Sequence, residues 1–174
     1  GQVLTLINRI QAIQLSRKDT LKINLRSSSN PYNVIDSQKA VYDSVSGVSI
    51  ANFSPAINGT SYYLEINHRN SIATWSAAPV LCSSNAMNYD FTSGLSQAYG
   101  SNQISVSSVP SFFSGDVNQD KFIDLSDVIT VYNSASSFAT GYIVTDVNYD
   151  NIADLTDILF AYNNSVNFVS VANP

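Results

Sequence analysis

Through the first two-thirds of the chain, apolar and polar residues largely alternate. Leu21-Lys-Ile-Asn-Leu, parts of residues 34–45, Tyr63-Leu-Glu-Ile-Asn-His and Ile104-Ser-Val-Ser-Ser-Val follow this pattern. A period of two puts one set of side chains on one face of an extended strand, so these runs predict half-buried strands. Gly47, Asn58-Gly59, Asn70 and Pro79 punctuate the runs at short intervals, as tight turns do. Short strands joined by regular turns predict a mainly β chain with a sandwich of immunoglobulin-like type over residues 17–110. The cysteine pair and core tryptophan spacing of antibody domains have no counterpart here, so the prediction concerns architecture.

Beyond residue 111 the period changes. Leu125, Val128, Ile129 and Tyr132 recur at helical spacing, and Leu155, Ile158, Leu159 and Tyr162 repeat them 30 residues later. Asn133 and Phe138 match Asn163 and Phe168 at the same offset. Each repeat therefore reads as a loop followed by one helix. Neither repeat can bury its apolar stripe alone, so the two repeats are expected to pack together as a pseudo-symmetric pair over residues 111–174.

Residues 1–16 form an apolar arm. A helix reading uses Val3, Leu6, Ile7 and Ile10; a strand reading uses Leu4 and Leu6, with Ile13 and Leu15 in a second run. We adopt the strand. Such a strand can complete its own sheet or be donated to a neighbouring subunit, and a head-to-tail donation that does not close would build a filament.

Only 12% of the 174 residues are charged, against about a quarter in an average domain. Polarity comes instead from 28 Ser and 19 Asn. The net charge of −5 is local: eight of the thirteen acidic residues lie within residues 116–127 and 146–157. No basic patch suggests nucleic acid, and no apolar run is long enough for a membrane span. Cys82 is the single cysteine, so no internal disulfide forms, and we read it as a small buried residue. The chain opens on Gly1 without a signal peptide, which leads us to expect a processed extracellular product.

The acidic segments carry the clearest chemistry. Asp116, Asn118, Asp120, Asp124 and Asp127 stand at positions 1, 3, 5, 9 and 12 of a twelve-residue loop, and Asp146, Asn148, Asp150, Asp154 and Asp157 repeat them. This is the spacing of an oxygen-ligand loop around calcium, with position 7 (Phe122 or Ile152) giving a backbone carbonyl. Two Ca2+ ions are expected, and they would bring the net charge from −5 to about −1. Metal-free, the carboxylates repel, so binding and folding should be coupled. Position 6 is Lys121 or Asn151 instead of the usual glycine. Lysine tolerates a left-handed backbone less well than asparagine, so the first site is expected to be the weaker or more strained.

Gly115-Asp-Val-Asn-Gln-Asp and Thr145-Asp-Val-Asn-Tyr-Asp, with their Asp-Leu-Ser-Asp and Asp-Leu-Thr-Asp endings, resemble dockerin-type repeats over about residues 115–170. The resemblance implies a small helical calcium-folded module of a secreted bacterial protein, one that docks onto cohesins. Dockerins that bind cohesins usually carry a polar pair at loop positions 10 and 11; position 10 is Leu125 or Leu155 here, which favours a structural use. Residues 62–75, with Asn-His-Arg-Asn-Ser-Ile-Ala-Thr-Trp, look like the Ig-like domains that precede such repeats, and imply a noncatalytic accessory module.

Little suggests catalysis. His68 is the only histidine, serine is too frequent for any spacing to single out a nucleophile, and no nucleophile elbow is present. Glu65 is the only glutamate, while Asp36, Asp43 and Asp90 are scattered. His68, Arg69 and Trp75 are therefore read as holding a strand or turn. Tyr62, Tyr63, Tyr89 and Tyr99, with Trp75, could stack on a glycan. Asn52, Asn58 and Asn163 head N-glycosylation triplets that would make the chain a glycoprotein, Asn58 being the best placed. The leading expectation is a noncatalytic, calcium-stabilised extracellular subunit that self-associates into a homo-oligomer or filament by strand addition. The alternatives are a dockerin-type anchor for a cohesin-like partner and a carbohydrate-binding accessory module.

Overall fold

The computed structural model describes residues 1–13 and 16–174. Ten strands come first: β1 (Gln2–Ile7), β2 (Lys18–Ser27), β3 (Val34–Asp43), β4 (Val48–Phe53), β5 (Ser61–His68), β6 (Ser71–Trp75), β7 (Val80–Leu81), β8 (Ala86–Asp90), β9 (Ile104–Val106) and β10 (Val109–Ser111). Two helices follow, α1 (Leu125–Ser136) and α2 (Leu155–Ser165). One sheet has the order β4-β1-β8, a second β3-β2-β5-β6 with β7 also pairing β5, and β9 and β10 form a small third. The alternating residues of the first two sheets face inward: Leu4, Leu6, Leu21, Ile23, Leu25, Phe53, Leu64 and Ile66 share one core. Each such side chain removed from water stabilises the sandwich by about 1.5–3 kcal/mol before entropy is counted.

The arm is strand, and it stays at home. β1 lies between two partners, antiparallel to β4 and parallel to β8, with Leu4 and Leu6 fully buried. An inner strand has no free edge and cannot be given away without dismantling its sheet. Strand addition through the arm, the expected basis of a filament, is therefore corrected. Leu15, the end of the second apolar run, lies outside the described residues. The run from Ile104 is likewise two strands of a hairpin instead of one. Its Ser107 and Ser108 both take left-handed angles (φ 49° and 69°), the geometry of a two-residue turn.

Close packing of the repeat pair on the sandwich follows from the connection between them. Phe112 enters the sandwich core, its N–H donating to the Arg9 carbonyl at 2.8 Å and its carbonyl accepting from the Gln11 N–H at 2.9 Å. Ala12 then joins Val117, Val131, Val147 and Ala161 in a second, smaller core. Gly115 sits where a Cβ would come 2.9 Å from the Ala161 Cα, so no side chain fits at this crossing.

The two helices are capped alike. Asp124 and Asp154 are N-caps, each in a reciprocal capping box with the aspartate three residues on. The two repeats pack together as expected, but only part of each apolar stripe takes part. The contact is made by Val131 and Ala161, both fully buried, with Val128 and Ile158 at its margin. Leu125 and Leu155 are each 66% exposed, Tyr132 58% and Tyr162 50%. The reason is geometric: the inner face is narrow, shared with Asn164, whose amide donates to Gln11 Oε1 and the Ser114 carbonyl, both at 2.6 Å.

Candidate functional site

The two acidic loops are wound the same way. Asp127 reaches back from the first turn of α1: its Oδ1 accepts from the Val117 and Asn118 amides (2.9 and 3.2 Å), its Oδ2 from the Asp124 amide (3.0 Å). Asp157 repeats this with Val147, Asn148 and Asp154 at 2.7, 3.0 and 2.9 Å. Asn118 and Asn148 each accept the amide two residues on at 2.9 Å, tightening the turn. Lys121 and Asn151, at position 6, have φ of 82° and 81°, so the left-handed backbone expected there is present in both. The loops also close on each other's repeat. Ile123 N–H donates to the Val169 carbonyl beyond α2, and Ala153 N–H to the Ala139 carbonyl beyond α1.

This winding gathers Asp116, Asp120 and Asp127, with carboxylate oxygens within 4.8 Å of one another, and Asp146, Asp150 and Asp157 likewise. Asp116 Oδ1 and Asp146 Oδ1 are buried and meet no donor among the described residues. Burial first, and then the charge of Asp127, push the Asp116 carboxyl up to about 7. Burial also pushes Asp127, Asp146 and Asp157 upward. Converging carboxylates with an unsatisfied buried oxygen fit a hard divalent cation with oxygen ligands. Of the other residues expected to ligate, Asp124 and Asp154 turn to the helix ends, each accepting from the N–H two residues on at 2.7 Å. Asn118 and Asn148 stay at the loop rim. Phe122 and Ile152 lie at bridges to Ser170 and Thr140.

The turn between β5 and β6 clasps both loops to the sandwich. Asn70 Nδ2 donates to the Val144 and Asp146 carbonyls at 3.2 Å, and the Asn70 carbonyl accepts the Gly115 N–H at 2.7 Å. Arg69 donates to the Ile143 carbonyl and, through Nε, to the Tyr149 hydroxyl at 2.8 Å. Beneath it His68 joins Asp19 (Nε2 to Oδ2, 3.1 Å), Ser71 (Nδ1 to Oγ, 3.0 Å) and Tyr149 (Nε2 to the hydroxyl, 2.7 Å). A carboxylate only accepts, so the proton of neutral His68 belongs on Nε2 and Nδ1 accepts from Ser71. Burial holds the His68 pKa down. The Asp19 pKa is also lowered: burial opposes this, but hydrogen bonds from His68, Tyr142 and Tyr149 prevail.

Serine, histidine and aspartate thus meet in space, which no sequence spacing revealed. Ser71 has no exposed surface and His68 is almost wholly buried, so no substrate reaches the hydroxyl. The trio serves as an internal brace, in keeping with the reading of His68 and Arg69 as residues that hold a turn.

The aromatic residues weighed for glycan stacking are mostly spent inside the protein. Tyr62 is core, Trp75 is buried with the Arg26 guanidinium 4.8 Å over its ring, and Tyr89 packs edge-on against Phe91. Tyr63 meets Tyr32, Trp75 and Tyr99 edge-on. Asn52, Asn58 and Asn163 are all exposed, and the Asn58 amide donates to Asn85 Oδ1 at 2.7 Å. Cys82 is buried. The outward surface of the repeat pair is different. Phe138 and Phe168 follow the helices with left-handed backbones and are 81% and 88% exposed. Phe122, Leu125, Tyr162, Val166 and Phe168 line an open apolar groove of about 620 Å³.

No family model matches the sequence, and no curated protein matches it. Among solved structures, the fold is similar to a chain of the type II cohesin–X-dockerin complex of Acetivibrio cellulolyticus. With a C-terminal interface mutant of that complex the TM-score is 0.61 at 17% identity, covering 95% of this chain and 96% of the other. With an N-terminal interface mutant it is 0.57 at 16% identity, with the same coverage. At these identities the likeness is one of fold: a mainly β chain with a sandwich and two helices. No described helix is long and apolar enough to cross a membrane.

Proposed function

We propose that this chain is a noncatalytic extracellular protein-docking module in which two calcium ions fold the repeat pair and so present an apolar helix face to a cohesin-like partner. The observation that carries the reading is the outward placement of Leu125, Tyr132 and Phe138 together with Leu155, Tyr162 and Phe168, at equivalent positions of both repeats. Large apolar groups left in water beside a polar surface mark an interaction site. Calcium has a matching reason to be there. Asp116, Asp120 and Asp127, and Asp146, Asp150 and Asp157, would hold one ion each. The ion relieves the repulsion of crowded carboxylates and so stabilises the helices that the loops start. The partner class rests on the fold shared with a chain of a cohesin–X-dockerin complex. Leucine at position 10 of each loop, where a polar residue was the usual expectation for docking, makes this an apolar variant of such a face.

The test is calorimetric binding of a type II cohesin in calcium and again in chelator, with Phe138→Ala and Phe168→Ala singly and together. Calcium-dependent binding that weakens about thirtyfold or more for a central phenylalanine is expected. Binding indifferent to both substitutions would overturn the assigned face. The same face could close on a second copy of the chain. A calcium-dependent dimer in sedimentation, abolished by the same substitutions, would replace the cohesin-like partner with the chain itself.

A further inference from the structure

The two loops share their acidic positions but differ at position 4, which is Gln119 in the first and Tyr149 in the second. Both residues take left-handed backbone angles, φ 60° and 67°. Gln119 is exposed and its amide donates mainly within its own loop, to the Asp116 carbonyl at 2.6 Å, with a 3.4 Å contact to the Ser71 carbonyl. Tyr149 is buried in the sandwich interface. Its hydroxyl donates to Asp19 and lies 2.7 Å from His68 Nε2, and the Arg69 guanidinium sits 4.3 Å over its ring. Its carbonyl accepts from Arg17 Nε at 3.0 Å. Asn70 holds the Asp146 carbonyl from the same side.

Position 4 lies between two ligand positions. The orientation of Tyr149 therefore fixes how Asn148 and Asp150 leave the backbone, and the sandwich fixes Tyr149. We infer that Tyr149, held by Asp19, is a positioning residue for the second metal site, so that the sandwich pre-organises that loop more firmly than the first, whose position 4 has no buried side-chain anchor. This rests on the calcium reading above. Ordering a loop before the ion arrives removes that entropic cost from binding. Groups that orient ligands from behind are worth about 10–100-fold in metal affinity.

The experiment is a calcium chloride titration of the metal-free full chain followed by NMR, which reads the two loops separately, for the unaltered protein, Tyr149→Phe, Asp19→Asn and Gln119→Ala. Tyr149→Phe keeps the ring and removes only the hydroxyl, so it guards against a folding failure in Asp19→Asn. The expected result is about a tenfold or greater loss of affinity confined to residues 146–157 in Tyr149→Phe, with the first loop within about twofold and Gln119→Ala leaving the second loop unchanged. Equal loss at both loops, or none, overturns the inference alone. Failure of the unaltered chain to take up calcium at either loop overturns the metal reading and this inference with it.

Discussion

In the sandwich, Leu4, Leu6, Leu21, Phe53 and Leu64 have no exposed surface, and most charged side chains lie outside. In the repeat pair, the charged Asp116, Asp127, Asp146 and Asp157 are buried, while Leu125, Leu155, Phe138 and Phe168 stand in water. The first arrangement is held by the hydrophobic effect and needs nothing else. The second reverses it, with a small core of Ala12, Val117, Val131, Val147 and Ala161 and crowded carboxylates whose self-repulsion works against the fold. A region that leaves its large apolar groups on its surface draws less on the hydrophobic effect, and its buried carboxylates converge where a divalent cation would fit. The brace of Asp19, His68, Arg69 and Tyr149 then joins the two regimes.

This contrast is broken most sharply by removing the ion. Chelation is expected to lower the melting temperature of α1 and α2, followed by far-UV circular dichroism, well below that of the sandwich, with recovery when calcium returns. Helices that keep their signal and melting behaviour in chelator would show that the small core suffices. Next in size, Phe53→Ala should cost the sandwich about 3–5 kcal/mol, because a full ring is lost from a packed interior. Calorimetry should show its transition lowered and the calcium affinity of the first loop unchanged; an equal fall in both would mean that the two regions melt as one.

The smallest effect is in pH. The Asp116 carboxyl titrates near 7 in the metal-free fold and near 4 when unfolded, so the folded state holds a proton that the unfolded state has released. Its contribution is complete below about pH 4 and lost as pH rises through 7. The metal-free repeat pair should therefore melt lower at pH 8 than at pH 5. Calcium displaces that proton, so its affinity should fall as pH drops below about 7, and a flat melting profile in chelator would contradict the burial of Asp116.

Much of this was open to inspection in the linear pattern. Alternation found β2 and β5, because a half-buried strand writes its period into the chain, whereas the arm fits helix and strand periods alike and is strand in the fold. The aspartate spacing located both acidic clusters, because a twelve-residue loop is a local object. The helix periods also signalled that the two repeats pack together. Period 3.6 identifies an apolar face but not how much of it is covered, and Val131 and Ala161 make the contact while Leu125 and Leu155 stay exposed. Asp124 and Asp154 fit the ligand pattern and also cap the helices, a second role that the loop spacing does not record.

The sequence by itself determined the local elements: where strands alternate, where helices start, and which carboxylates can converge within one loop. Only the tertiary structure decided that β1 sits between two strands of its own sheet and is not donated. It also decided that Ser71, His68 and Asp19 meet in a sealed brace, and that Tyr149 ties one loop, more than the other, to the sandwich. Those outcomes depend on pairs separated by many residues, such as Asp19 with Tyr149. Their contact is set by how sheets and helices close on one another, and no period or spacing along the chain records it.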